Sequence, residues 1–227
     1  VTLESVARIA YAARVLPTEP IRPLHDVWLR PRRVFRELAL KPVGVADYLL
    51  GAAQGIAGWL ALSRAMNAGA ASSVAEIFGK ALVLGSMAGV ASLFLMGAIY
   101  ARLGSGSGRT AARNQVFHVL AYGGVPLAAS LIVWVITALL AGEVTFEQVP
   151  HADVEAFVAL LLRIQFIAYV LLTVWSVVIQ VMGLSEIQGV ATRKALGVWV
   201  LGQLIGILAL LFLVILIATL FPNAVTT

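Results

Sequence analysis

The chain has 227 residues, of which 61% are hydrophobic and only 12% charged. Soluble domains sit near half apolar and a quarter charged, so a departure in both directions points to a solvent other than water. There is no cysteine, which excludes disulfides, thiolate metal sites and cysteine nucleophiles. The net charge of +5 raises nucleic acid as a partner. The basic residues flank apolar runs, however, where membrane topology places them, and no nucleic acid is expected.

Residues 1–44 read as a cytoplasmic N-terminal segment. The first 25 residues hold no continuous apolar run of the kind a cleavable signal peptide needs. Ser5 to Leu16 fits a short helix with Val6, Ile9, Ala13 and Leu16 near one face. Pro17, Pro20 and Pro23 then interrupt regular structure. A second helix is expected after Arg30, with Pro31 at its first position. Val34, Phe35 and Leu38 share one face of it, while Arg32, Arg33 and Arg36 point elsewhere. Such a basic amphipathic helix suits the lipid headgroup region. Arg30, Arg32, Arg33 and Arg36 are therefore candidate contacts for anionic lipids, each worth about 1 kcal/mol near an anionic surface.

Residues 45–227 read as a five-span transmembrane domain. A bilayer core needs about 20 apolar residues in a helix. Five stretches qualify, roughly 45–66, 77–101, 115–141, 156–182 and 195–221. The third is interrupted by Gly123-Gly124-Val125-Pro126. The fold class is thus all-α, a polytopic helical bundle with five spans plus N-terminal amphipathic helices.

Orientation follows from Lys and Arg. Thirteen of them lie in the N-terminal segment and in the loops after spans two and four. The other side has Arg64 and Lys80 at span ends, with Arg163 inside span four. The asymmetry predicts the N-terminus inside and the C-terminus outside a cytoplasmic membrane. The abundance of Arg and Ala suits a bacterial inner membrane.

Several constellations invite a functional reading. Arg163 inside a span is costly unless it snorkels, pairs with Glu143, Glu147 or Glu155, or lines a polar cavity. Glu143, Glu147, His151 and Glu155 recur every four residues, but Pro150 breaks the face a metal would need, and no metal or cofactor is expected. The run from Arg102 to Arg109 has phosphate-loop glycines without the GK[ST] ending, and reads as a linker. His118, near the inner end of span three, is expected to be a packed or interfacial residue. Gln54, Gln180 and Gln203 are candidate interhelical hydrogen bonders. Three Gly-x-x-x-Gly pairs, Gly51/Gly55, Gly85/Gly89 and Gly202/Gly206, let helix backbones approach closely, inside this bundle by default.

Four stretches make the chain resemble the bacterial form of the Yip1 domain family. They are Pro31-Arg32-Arg33-Val34-Phe35-Arg36-Glu37-Leu38 up to Pro42, and Phe117-His118-Val119-Leu120-Ala121-Tyr122-Gly123-Gly124-Val125-Pro126. Trp175-Ser176 ahead of Gly183-Leu184, and Lys194-Ala195-Leu196, complete the set. The resemblance covers roughly residues 28–221 and implies a five-span bundle with a cytoplasmic N-terminus. Eukaryotic members bind Rab-type GTPases through a DLxGP-like motif that is missing here, so no GTPase partner is carried over.

No HExxH, GxSxG or Walker loop is present, and no enzyme is expected. The leading expectation is a non-enzymatic membrane protein that binds a membrane partner or its own copies, organising a complex. The alternative is a small transporter or lipid-handling protein with a cavity near Arg163, since interrupted helices can line membrane cavities. Lipid-handling enzymology through His118 or the acidic loop is the least favoured reading.

Overall fold

The computed structural model describes residues 21–104, 111–148 and 155–220. The expected helix at Ser5–Leu16, the Gly-rich stretch after Gly104, and His151 with Asp153 lie outside them. The fold is all-helical, and five helices are long and apolar enough to cross a membrane.

A short turn of helix, α1 (Pro23–Asp26), leads into α2 (Pro31–Leu38), which begins at its proline as expected. The spans follow. They are α3 (Val45–Ala65), α4 (Val74–Gly104), the broken pair α5 (Arg113–Gly123) and α6 (Val125–Ala141), α7 (Ala156–Gln188) and α8 (Thr192–Leu220). In α4, residues Ala81–Gly85 form a π-helical turn. The start of α3, the end of α4, the start of α5, the end of α7 and the start of α8 gather at one end. That basic end also carries α1 and α2. The opposite end holds the turns at Ala68–Ala70 and Gly142–Phe146.

α3 packs along α4 through glycine. A methyl group on Gly55 would strike the carbonyl of Gly85, and one on Gly89 would strike the carbonyl of Gly51. The two Gly-x-x-x-Gly pairs therefore close on each other. The third pair also closes within the chain, with Gly202 against the Tyr100 ring and Gly206 against the Met96 sulfur.

The break between α5 and α6 is repaired by neighbouring helices. Pro126 supplies no N–H, and backbone polar groups in lipid need partners. Gln54 Nε2 donates to the Ala121 carbonyl at 2.8 Å, and the Leu127 N–H donates to Ser176 Oγ at 3.0 Å. Gln54 reaches this place because Gly124 offers no side chain to its amide. Gln180 acts likewise between α7 and α8, accepting from Trp199 Nε1 at 2.9 Å. Gln203 hydrogen-bonds Tyr100 between α8 and α4.

The amphipathic helix α2 departs from expectation. Its apolar face does not meet lipid. Val34, Phe35 and Leu38 are buried against α5 and α7, forming part of the main core. The Phe35 ring lies against Gly183. Burial beside helices that already present apolar surface satisfies the face as well as a membrane would, and hydrophobic periodicity alone does not distinguish the two.

Candidate functional site

Two polar centres lie in the bundle, one at each end. At the basic end, Asp47 stands in the first turn of α3, where its Oδ2 accepts the Gly44 N–H at 2.9 Å and caps the helix. Its Oδ1 lies 2.7 Å from His118 Nδ1 on α5. His118 Nε2 lies 3.1 Å from the Lys41 carbonyl, in the link between α2 and α3. Both side chains are about 3% exposed. A carbonyl only accepts, so Nε2 carries a proton, and Nδ1 shares another with the carboxylate. The triad ties α5 to the stem of the first span. The sequence leads one to expect His118 as a packed or interfacial residue and does not join it to Asp47, 71 positions away.

Around this centre, α2 is held by charge. Arg36 pairs with Glu186 at 2.9 Å, Arg32 Nη2 donates to Thr192 Oγ1 at 2.9 Å, and Arg33 pairs with Glu37 at 3.2 Å. Three of the four candidate lipid contacts therefore have protein partners, and Arg30 stands exposed beside them. A cavity of about 330 Å³ lies there, but its two charged walls, Arg36 and Glu186, neutralise each other.

The opposite end is built differently. Arg64, half-buried in the last turn of α3, donates from Nη1 to Gln165 Oε1 on α7 at 2.6 Å. The guanidinium only donates, so it fixes the Gln165 amide with oxygen toward Arg64 and nitrogen away. That Gln165 Nε2 is buried and has no partner among the described residues. Beside it, Trp134 of α6 stacks on Phe146 at 5.7 Å and meets the edge of Tyr169 at 5.9 Å. Its Nε1 is also buried without a partner.

Both residues line a cavity of about 290 Å³, together with Ala61, Arg64, Ala65, Gln148, Phe166 and Tyr169. An adjoining cavity of about 440 Å³ shares Arg64 and Phe166 and is closed by Ala159, Leu162, Arg163 and Ile167. Helical spacing explains the division. Residues 159, 162, 163, 166 and 167 share one side of α7, while 165, 166 and 169 turn toward α6.

Of the three routes open to Arg163, pairing with Glu143, Glu147 or Glu155 is not the one taken. Among the described residues no carboxylate pairs with it, and it stands exposed at the cavity wall. Nor do three His, Asp or Glu side chains meet closely enough to hold a metal, among the described residues. Comparison with protein-family models, with curated proteins and with solved structures returns no match.

Sequence reading noted Arg64 only as a span-end cation and missed Gln165 and Trp134. One signal was available. Gln165 interrupts an otherwise apolar run of span four two residues after Arg163, and a polar residue at that depth needs a reason.

Proposed function

We propose that this is a non-enzymatic integral membrane protein that handles lipid, seating the head of one amphiphile between α3, α6 and α7. The double cavity around Arg64 and Arg163 carries the reading. It joins polar groups with apolar walls (Leu162, Phe166, Ile167) at one membrane-facing site, the composition that suits a molecule with a head and a tail. The lipid-handling alternative raised from the sequence thus has more support than the partner-binding one. The latter drew on the Gly-x-x-x-Gly seams, which close inside this bundle.

The charge asymmetry supports an N-terminus in the cytoplasm of a bacterial inner membrane, which would place the cavity in the outer leaflet. The resemblance to the Yip1 domain family remains part of the proposal and rests on the quoted stretches alone.

Extraction in mild detergent followed by native mass spectrometry tests the reading. The protein should retain one lipid, and Ala159→Trp, which fills the larger cavity, should lose it. Recovery without lipid, or equal retention in the Ala159→Trp variant, would refute it.

A further inference from the structure

Among the described residues, the opposite-end cavities are lined by donors and cations and by no carboxylate. Of those residues, Arg64, Gln148, Gln165, Trp134 and Tyr169 are the polar side chains that line the first, and Arg64 and Arg163 those that line the second. Two of these donors, Gln165 Nε2 and Trp134 Nε1, have no partner among the described residues although these residues are 1% and 2% exposed. Buried donors are nearly always satisfied in folded proteins, and a stranded one costs free energy until an acceptor arrives. Arg64 uses one nitrogen on Gln165 and is part-buried, which strengthens its pull on an anion. Arg163 borders the adjoining cavity, whose wall is apolar apart from Arg64, and is exposed there with no partner among the described residues.

We infer that this double cavity takes an oxyanion, the phosphate of an anionic lipid head. Arg64 and Arg163 supply the counter-charge, and Gln165 and Trp134 supply neutral donors. Aliphatic tails then run along Leu162, Phe166 and Ile167. A headgroup amine finds no carboxylate among the described residues of these walls, so acidic lipids are preferred over zwitterionic ones. The inference rests on the lipid-handling reading and adds the ligand's chemistry to it.

Gln165 sets the geometry of the site. Its oxygen is held by Arg64, so its nitrogen is aimed by the same guanidinium that attracts the anion. The two act as a unit: losing Arg64 both removes the charge and frees the amide to turn.

The test is titration of the detergent-solubilised full chain with dioctanoyl phosphatidic acid, with dioctanoylglycerol, and with inorganic phosphate. Phosphatidic acid should bind at least about 10-fold more tightly than dioctanoylglycerol, since charge-assisted hydrogen bonds are at stake. Arg64→Gln should remove most of that preference. Arg163→Gln should reduce it as well, and because Arg163 makes no bond within the described chain, a folding defect does not obscure the result. If the two lipids bind equally, with both arginine variants unchanged but Ala159→Trp blocking, the oxyanion inference falls while the lipid reading stands. If inorganic phosphate binds as tightly as phosphatidic acid, the tail contributes nothing and the lipid reading falls. If Ala159→Trp leaves phosphatidic acid binding untouched, the site is elsewhere and both fall.

Discussion

At the basic end, Asp47 and His118 are buried to about 3% exposure, and each of their hydrogen-bonding atoms meets a partner at 2.7–3.1 Å. At the opposite end, Gln165 and Trp134 are buried as deeply, and each leaves a nitrogen without a partner among the described residues. The same bundle therefore treats buried polarity in two ways. A satisfied network fixes helices in register and leaves no demand unmet. An unsatisfied one is a standing cost that an arriving ligand can relieve. The difference separates a structural centre from a candidate binding centre, even though the structural one contains the residues with more familiar chemistry. Gln188 is an exception at the basic end, since neither polar atom of its amide has a partner among the described residues; it packs against Gly104, where the described segment ends.

The strongest way to break this contrast is at His118. His118→Ala leaves the Asp47 carboxylate buried without its imidazole and unties the Lys41 carbonyl from α5. Removing one member of a buried charged pair costs about 3–5 kcal/mol. Denaturant unfolding in mixed micelles should show a loss of that order, with no matching loss of lipid binding at the far cavity. A loss below about 1 kcal/mol would mean that the Asp47–His118 contact holds little of the fold together. The double variant with Asp47→Ala should be less damaging than the sum of the two single changes, because the second change removes the stranded charge.

The contrast is sharpened at Gln165. Gln165→Glu keeps the side chain's shape and its bond to Arg64. It exchanges the stranded NH₂ for a second acceptor, which a guanidinium can engage in a paired arrangement. Stability should rise by about 1 kcal/mol, while acidic lipid binding is lost because the cavity has gained an anion. A fall in stability at this position would show that the amide nitrogen is satisfied in the resting protein. A site whose stabilising variant destroys binding has been kept incomplete for its ligand.

How much of this was legible beforehand depends on the range of each interaction. Spans were legible because apolar length is a local property; the start of α2 was placed to the residue because Pro31 marks its first turn. The interruption at Gly123–Pro126 was legible too, but its repair by Gln54 and Ser176 was not, since each bond crosses between helices. Asp47 with His118, and Arg64 with Gln165, are separated by 71 and 101 positions, and no local pattern relates them. The role of α2 was misjudged for a related reason. An apolar stripe on a basic helix is the same whether it faces lipid or the groove between α5 and α7, and only the packing decides.

The smallest effect is expected on α2 itself, where the surface charges can be separated from the core beneath them. Arg36 is 65% exposed in its pair with Glu186, and an exposed ion pair contributes about 0.2–1 kcal/mol. Arg36→Ala should lower stability by no more than that, and the loss should shrink with added salt as screening weakens the pair. Phe35, Val34 and Leu38 continue to anchor the helix, so it stays docked. The same variant discriminates between two uses of the basic face. If α2 is held by its apolar side alone, removing Arg36 leaves association with anionic vesicles nearly unchanged, because Arg36 already has Glu186 as its counter-charge. If vesicle binding instead falls several-fold, Arg36 leaves Glu186 for the headgroups when a membrane is present, and the basic face of α2 is a lipid-facing surface after all.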